Sequence, residues 1–372
     1  MRVVHCSPRR CARASGMPTI QAAPMHDTPD VPAAREVPVH PVLVRLWRGE
    51  HVESQHRGAW VVVDERGVQQ GAGNWREPVF ARSSVKSLQA VPLLESGAAD
   101  RYGFDAAELA LALSSHSAEP IHTERVAALL ARLGLSVEHL KCGPQVPLDP
   151  EARRELARRG ERPSALHNNC SGKHAAFLAL ALHTRVAPTD YLDPSAASQR
   201  AVRAALQELT ETPDEELAVA IDGCSAPTFR LPLAKLAAGI ARIATPGRGS
   251  GARGAACTRM VEAVARHPEL IAGNHQRLCT DLARATRGRL FPKIGAEGIY
   301  VIGRVGTGQG LALKIDDGGE RALHALVIAL LERLGWAEPS ELAGLARYRD
   351  AQLVNRAGLV VGRTEVLIDA SR

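Results

Sequence analysis

Aromatic residues are scarce, with Phe, Trp and Tyr together making up 3% of the 372 residues. Single-stranded nucleic acid is usually bound on stacked rings, so that class of partner is disfavoured. The net charge of +6 is not gathered into a basic stripe, and neither zinc-finger spacing nor an RNA-binding signature is present. Long apolar runs are missing too. The longest, Ala175–Leu182 and Ala325–Leu331, fall far short of a membrane span. What is there is ordinary for a globular protein: 45% hydrophobic and 23% charged residues, which excludes wholesale disorder.

Lysine is also rare. Only six of the 46 basic residues are lysine: Lys86, Lys141, Lys173, Lys235, Lys293 and Lys314. Where arginine is so strongly preferred, a retained lysine points to work arginine cannot do, namely losing a proton. The seven cysteines, Cys6, Cys11, Cys142, Cys170, Cys224, Cys257 and Cys279, are odd in number and widely spaced. That pattern argues against a secreted disulfide framework and for reduced thiols in a cytoplasmic enzyme, some of them metal ligands or reactive groups.

Residues 1–36 hold several arginines and prolines and no acid before Asp27, and read as a disordered tail or an over-extended start. Residues 37–372 read as one domain. After Pro41, strands at Val42–Trp47, His51–Arg57, Ala59–Asp64 and Val68–Gly71 form an antiparallel meander, with breaks at Gly58 and at the Asp64–Gly67 turn. Residues 84 to about 285 have mostly helical periodicity, at Ala106–Leu113, Glu119–Leu133, Glu151–Arg159, Gly172–His183, Ser195–Leu209 and Leu231–Ile243. Thr245–Ala255 reads as a loop. Ile299–Val305 and Gln309–Asp316 form a hairpin, Arg321–Leu334 a helix, and Leu353–Val361 and Thr364–Ile368 the last strands. The fold class expected is α+β: one antiparallel sheet built from both chain ends, covered by helices, with a helical lobe around residues 100–285.

Five segments carry chemistry. Ser83 and Lys86 form Ser-x-x-Lys; on a helical turn, residues three apart share a face. A deprotonated Lys86 could then take the proton of the Ser83 hydroxyl, and a helix N-terminus would favour a developing oxyanion. Ser83 as a simple cap before an exposed lysine is the plainer alternative. Leu113–Glu119 holds three serines and His116; if Ser117 caps the next helix, Ser115 and His116 are left as site candidates. His167–His174 packs two imidazoles, two amides, a thiol and Lys173 before an apolar helix, where a Cys170 thiolate would be stabilised. In Ala220–Pro227 a short strand ends in Asp222-Gly223-Cys224, so Cys170 and Cys224 could share a soft metal or be buried turn cysteines. In Phe291–Gly298, Lys293 lies just before a strand and could supply a second cation, or be a surface lysine.

Arg-Ser-Ser-Val-Lys, Ser-Ser-His-Ser, Cys-Gly-Pro-Gln-x-Pro, His-Asn-Asn-Cys-Ser-Gly-Lys-His, Asp-Gly-Cys and Lys-x-Gly-Ala-Glu-Gly occur in that order. Over residues 38 to 370 the chain resembles the Rhizobium-type (class 3) L-asparaginase II family. The resemblance implies a serine β-lactamase/penicillin-binding-protein-like fold and hydrolysis of L-asparagine to L-aspartate and ammonia. It implies Ser–Lys pairs at Ser83 with Lys86 and Ser115 with Lys293. It further implies a zinc ion on Cys170, Cys224 and Lys173 with Asp222 close by, a homodimer, and substrate contacts from Arg82, His116, His174 and Asp222. Gln145 stands where histidine is expected in the Cys-Gly-Pro segment, and Gly273–Arg277 departs from the pattern. Two other classes of function remain open: a serine acyl-transfer hydrolase of β-lactamase or peptidase type, and a non-catalytic metal-binding protein.

Overall fold

The strand signals after Pro41 are realised as β1 (Val42–Arg48), β2 (His51–Asp64) and β3 (Gly67–Ala72). The computed structural model describes residues 39–247, 251–349 and 352–368. The expected tail at 1–36, with Cys6 and Cys11, lies outside the described residues. From Val39 onward the chain forms a single unit. Its remaining strands are β4 (Pro78–Phe80), β5 (Ala218–Ile221), β6 (Pro227–Pro232), β7 (Leu290–Gly295), β8 (Ile299–Arg304), β9 (Gln309–Ile315), β10 (Leu353–Val354) and β11 (Val360–Val366).

The main sheet runs β10-β11-β1-β2-β9-β8-β7, with β3 also on β2, and its pairings are antiparallel. The first strands meet the last: Val44 lies opposite Val366, and Trp60 opposite Leu313. The α+β sheet completed by both chain ends is thus the observed architecture. Consecutive residues Trp60–Val63 and Ile299–Gly303 are buried, which requires cover on both faces. The helices Leu233–Ile243 and Glu320–Leu334 supply it, the first against β2, β8 and β9, the second against β1, β8, β9 and β11. Gly303 and Gly310, directly paired, let the first helix come close: a Cβ on Gly310 would stand 2.2 Å from the Ala237 carbonyl oxygen.

Four local readings need correction. Gly58 does not break a strand; β2 runs through it, because its missing side chain admits β9, with a hypothetical Cβ 2.1 Å from the Lys314 oxygen. The helix expected from Leu231 starts at Leu233, and the residues before it form β6, the centre of a small sheet β4-β6-β5. The loop expected over Thr245–Ala255 is helical from Gly251, as part of Gly251–Arg266. Lys293 lies within β7, not before a strand.

Between β4 and β7 the chain is mainly helical. The helix Lys86–Glu95 is buried on every side except at its last residue, packed against Ser171–His183, Ala197–Thr210 and Gly251–Arg266. A helix with so little polar surface exposed belongs in a core. Its first residue, Lys86, is 1% exposed, so the fold delivers an amine to the interior.

Candidate active site

A short 3-10 turn, Arg82–Val85, leads into the helix that begins at Lys86. The small sheet anchors it, since Ala81 N–H donates to the Phe229 carbonyl at 2.9 Å. Arg82 has φ +49°, a left-handed conformation unusual for a side chain of this size. From there its Nε donates to Asp222 Oδ1 at 2.6 Å. Side chains three apart eclipse on such a turn, yet Ser83 and Lys86 make no hydrogen bond with each other. Among the described residues the Ser83 hydroxyl has no hydrogen-bond partner, and the side chain is only half-buried. Lys86 reaches inward instead: its Nζ donates to the Ser114 carbonyl (2.5 Å) and to Ser115 Oγ (3.1 Å), and lies 3.1 Å from Cys170 Sγ.

Ser115 collects both lysines. Lys293, on β7, donates from Nζ to the same Oγ at 2.7 Å. Burial first, and the neighbouring Lys86 cation second, hold the Lys293 amine well below the ordinary lysine range. The pairing of Ser115 with Lys293 is therefore present, while Lys86 is shared between Ser115 and the sulfur site.

The His167–His174 segment wraps the start of the helix Ser171–His183. Asn168 donates from Nδ2 to the Cys142 and Gly143 carbonyls and accepts the Cys170 N–H, and Gln145 Oε1 accepts the Asn169 N–H at 3.0 Å. Gln145 thus shapes the cysteine loop from the place where histidine was expected. Lys173 Nζ lies 3.3 Å from Cys224 Sγ. Interaction with Cys224, aided by the Lys86 and Lys173 cations against burial, brings the Cys170 thiol well below its usual range. The same interaction, followed by burial, pushes Cys224 up. Burial alone would lower Lys173, but the two sulfurs and Asp222 outweigh it and raise the amine. Burial and the Cys170 charge push Cys142 up to about 12.

Two donor sets follow. Cys170, Cys224 and Lys173 converge in a buried place with Asp222 Oδ2 3.9 Å from the Cys224 sulfur; two sulfurs and an amine suit a soft cation. Glu119, Asp149 and His275 bring their ligand atoms within 4.8 Å of one another, an oxygen and nitrogen set that sequence reasoning missed because its members lie far apart in the chain.

Of the four residues expected to touch substrate, Arg82 and Asp222 line an open cleft with Phe80, Ile221 and Gly223. His116 and His174 are fully buried. His116 accepts the Ala118 N–H at Nδ1, which leaves Nε2–H to donate to Ser171 Oγ at 2.8 Å. Burial, then the His122 and Lys86 charges, keeps it neutral. His174 Nδ1 is 2.6 Å from the Tyr191 hydroxyl, and burial, then Lys173 and Lys86, lowers its pKa strongly. Both imidazoles are held inside the packing around the lysines.

The family model described as L-asparaginase II matches residues 44–366. The chain belongs to the L-asparaginase II family. It is thereby a member of a family of amidohydrolases, and the matched span contains each site segment above. A search of curated proteins finds no match. Among solved structures, the chain is similar to Mglu in its glutamate form, with 13% identity and a TM-score of 0.40 over 76% of this chain and 61% of that one. It is also similar to a β-lactamase from Mycobacterium bovis, with 16% identity and a TM-score of 0.39 over 74% of this chain and 94% of that one. The chain thus spans about three fifths of the length of Mglu.

Proposed function

We propose that this protein is an L-asparaginase that hydrolyses L-asparagine to L-aspartate and ammonia. The observation that carries the reading is the convergence of two buried lysines on Ser115 Oγ, at 2.7 and 3.1 Å. Ser83 is the nucleophile in this reading, because its hydroxyl is unpaired and reachable, whereas Ser115 is buried between two amines. Ser83 Oγ attacks the side-chain amide carbon; for this, Lys86, turned to Ser115 in this structure, swings to Ser83, takes its proton and gives one of its own through Ser115 to the neutral Lys293. The amide nitrogen takes a proton from this Lys86–Ser115–Lys293 chain and leaves as ammonia. Water then cleaves the ester, returning its proton by the same route and releasing aspartate. A lysine can serve as base only when neutral, and Lys293 is the amine whose burial favours that state. Arg82 and Asp222, paired at the cleft, bind the charged α-carboxylate and α-ammonium of the amino acid.

Zinc is the metal proposed for Cys170, Cys224 and Lys173, since thiolates prefer it to hard cations. Bound there, it would supply a fixed positive charge that holds substrate. A homodimer working in the cytoplasm completes the reading. Ammonia release from L-asparagine by the purified protein is the test, with a chromogenic cephalosporin in parallel. Turnover of the cephalosporin and none of asparagine would replace this reading by a β-lactamase-type one.

A further inference from the structure

We propose that Arg277 is a positioning residue for Ser115: its guanidinium clamps the buried 114–118 segment from a loop that is itself latched to Glu119 and Asp149. The proposal rests on the reading of Ser115, Lys86 and Lys293 as the proton-handling chain.

Residues 114–118 form no helix or strand, yet all five are at most 5% exposed. A buried irregular main chain needs a partner for each polar group. The Ser114 carbonyl takes Lys86, Ser115 N–H donates to Ile271, His116 N–H to Asn169, and Ser117 carbonyl accepts from Asp149 N–H. The Ser115 carbonyl is taken by Arg277 Nη2 at 2.8 Å, while Nη1 donates to Ser117 Oγ at 2.6 Å. One planar fork therefore grips the chain at the serine and two residues beyond it. A lysine could not make both bonds in fixed geometry.

The fork is itself held. Asn274 donates its main-chain N–H and its Nδ2 to the two Glu119 oxygens, at 2.7 and 2.8 Å. His275 Nδ1 is 2.7 Å from Asp149 Oδ1. Gly273, at φ +137°, allows the close approach, since a Cβ there would lie 2.4 Å from Glu119 Oε1. Charge acts in the same sense as geometry. Burial and then Lys86 disfavour the protonated form of Lys293, the Cys279 and Cys170 sulfurs favour it, and the guanidinium of Arg277, the smallest of these influences, disfavours it.

The test compares the full-length protein with Arg277→Met and Arg277→Lys, by steady-state ammonia release across pH and by NMR of carbon-labelled lysine. With six lysines in the chain, the spectrum is simple, and Lys293→Arg assigns the signal. Arg277→Met should lose roughly tenfold to a hundredfold in kcat, the scale of a misplaced catalytic group, with KM within about twofold. Its Lys293 titration and the acid limb of kcat/KM should both move to higher pH. Arg277→Lys should keep both pH positions and still lose kcat. A merely structural role would lower the melting temperature and leave the pH positions alone. An Arg277→Met enzyme with kcat near wild type, or with an unmoved Lys293 titration, overturns the proposal. If Arg277→Met does not fold, wild-type kcat in Arg277→Lys overturns it. A shifted Lys293 titration in a protein that releases no ammonia would sink the asparaginase reading and leave the placement of Arg277 standing.

Discussion

Lys293 Nζ stands 2.7 Å from Ser115 Oγ across a sequence separation of 178 residues. Lys86, the first residue of its helix, reaches the same oxygen at 3.1 Å. A hydroxyl has one proton to give, so a serine between two amines carries a proton from one to the other when either is neutral. Ser115→Ala, Lys86→Met and Lys293→Met should each lower kcat by roughly 10²–10⁴-fold, the usual worth of a positioned acid or base. Lys86→Arg should not restore it, since guanidinium keeps its proton. Steady-state ammonia release checks this, and a Lys86→Arg enzyme of wild-type activity would show that only a positive charge is needed.

The buried Lys293 also sets a stability slope. Its folded pKa lies well below the unfolded lysine value because burial and Lys86 disfavour the cation. Between the two values the unfolded chain binds more protons than the folded one, so stability rises with pH across that window. Below the folded pKa the cost is present in full. Lys293→Met removes the ionisable group from this site, so it should raise the melting temperature at neutral pH and flatten its rise toward alkaline pH. Thermal melts of both proteins from pH 6 to pH 10 provide the check; parallel curves would mean that Lys293 does not titrate there.

The helices around the lysines were legible because apolar spacing is local information, and the sheet closed by both termini followed from strand patterns at the two ends. Gly58 misled because a glycine that admits a neighbouring strand is written the same way as a glycine that turns the chain. Leu231 misled because apolar residues before a helix extend its periodicity while belonging to β6. The side chains of the site were legible as residue types and not as partners. Lys86 was matched to Ser83 by spacing, but its buried nitrogen meets better acceptors in the Ser114 carbonyl, Ser115 and Cys170. Arg277 had no signature, since the Ser117 hydroxyl and Ser115 carbonyl it binds lie 160 and 162 residues away in the chain.

Gly172 separates the cysteine loop from Lys173. A Cβ at this position would stand 2.3 Å from the Leu111 carbonyl oxygen and 2.9 Å from the Leu111 side chain. The helix Ala106–Ala112 crosses here, and main-chain atoms cannot step aside as a flexible side chain can. Gly172→Ala should therefore cost about 1–3 kcal/mol, the usual range for overpacking. Because the displaced backbone leads directly into Ser114 and Ser115, activity should fall by more than the lost stability explains. Denaturant unfolding and kcat on the folded fraction test this together, and a variant as stable and active as the wild type would show that the two helices part easily.

Cys224 and Lys173 are held in their protonated forms, with Lys173 3.3 Å from the Cys224 sulfur. A metal bound there must displace those protons, because thiols and ammonium groups cannot ligate in their protonated forms. Affinity should therefore fall as pH falls. Three protein ligands leave a position open, which distinguishes the set from a closed structural site. The neighbouring Arg82–Asp222 pair lines the cleft, so a charge held at this point would act on a substrate bound there. Lys86, 3.1 Å from the Cys170 sulfur, joins this set to Ser115. Removing the metal by chelation should accordingly raise KM while sparing much of kcat, and Cys224→Ser should do the same. Metal analysis of protein purified without chelator should find close to one equivalent of zinc. Less than about a tenth of an equivalent of any transition metal, together with an unchanged KM for Cys170→Ala, would remove the metal from the account.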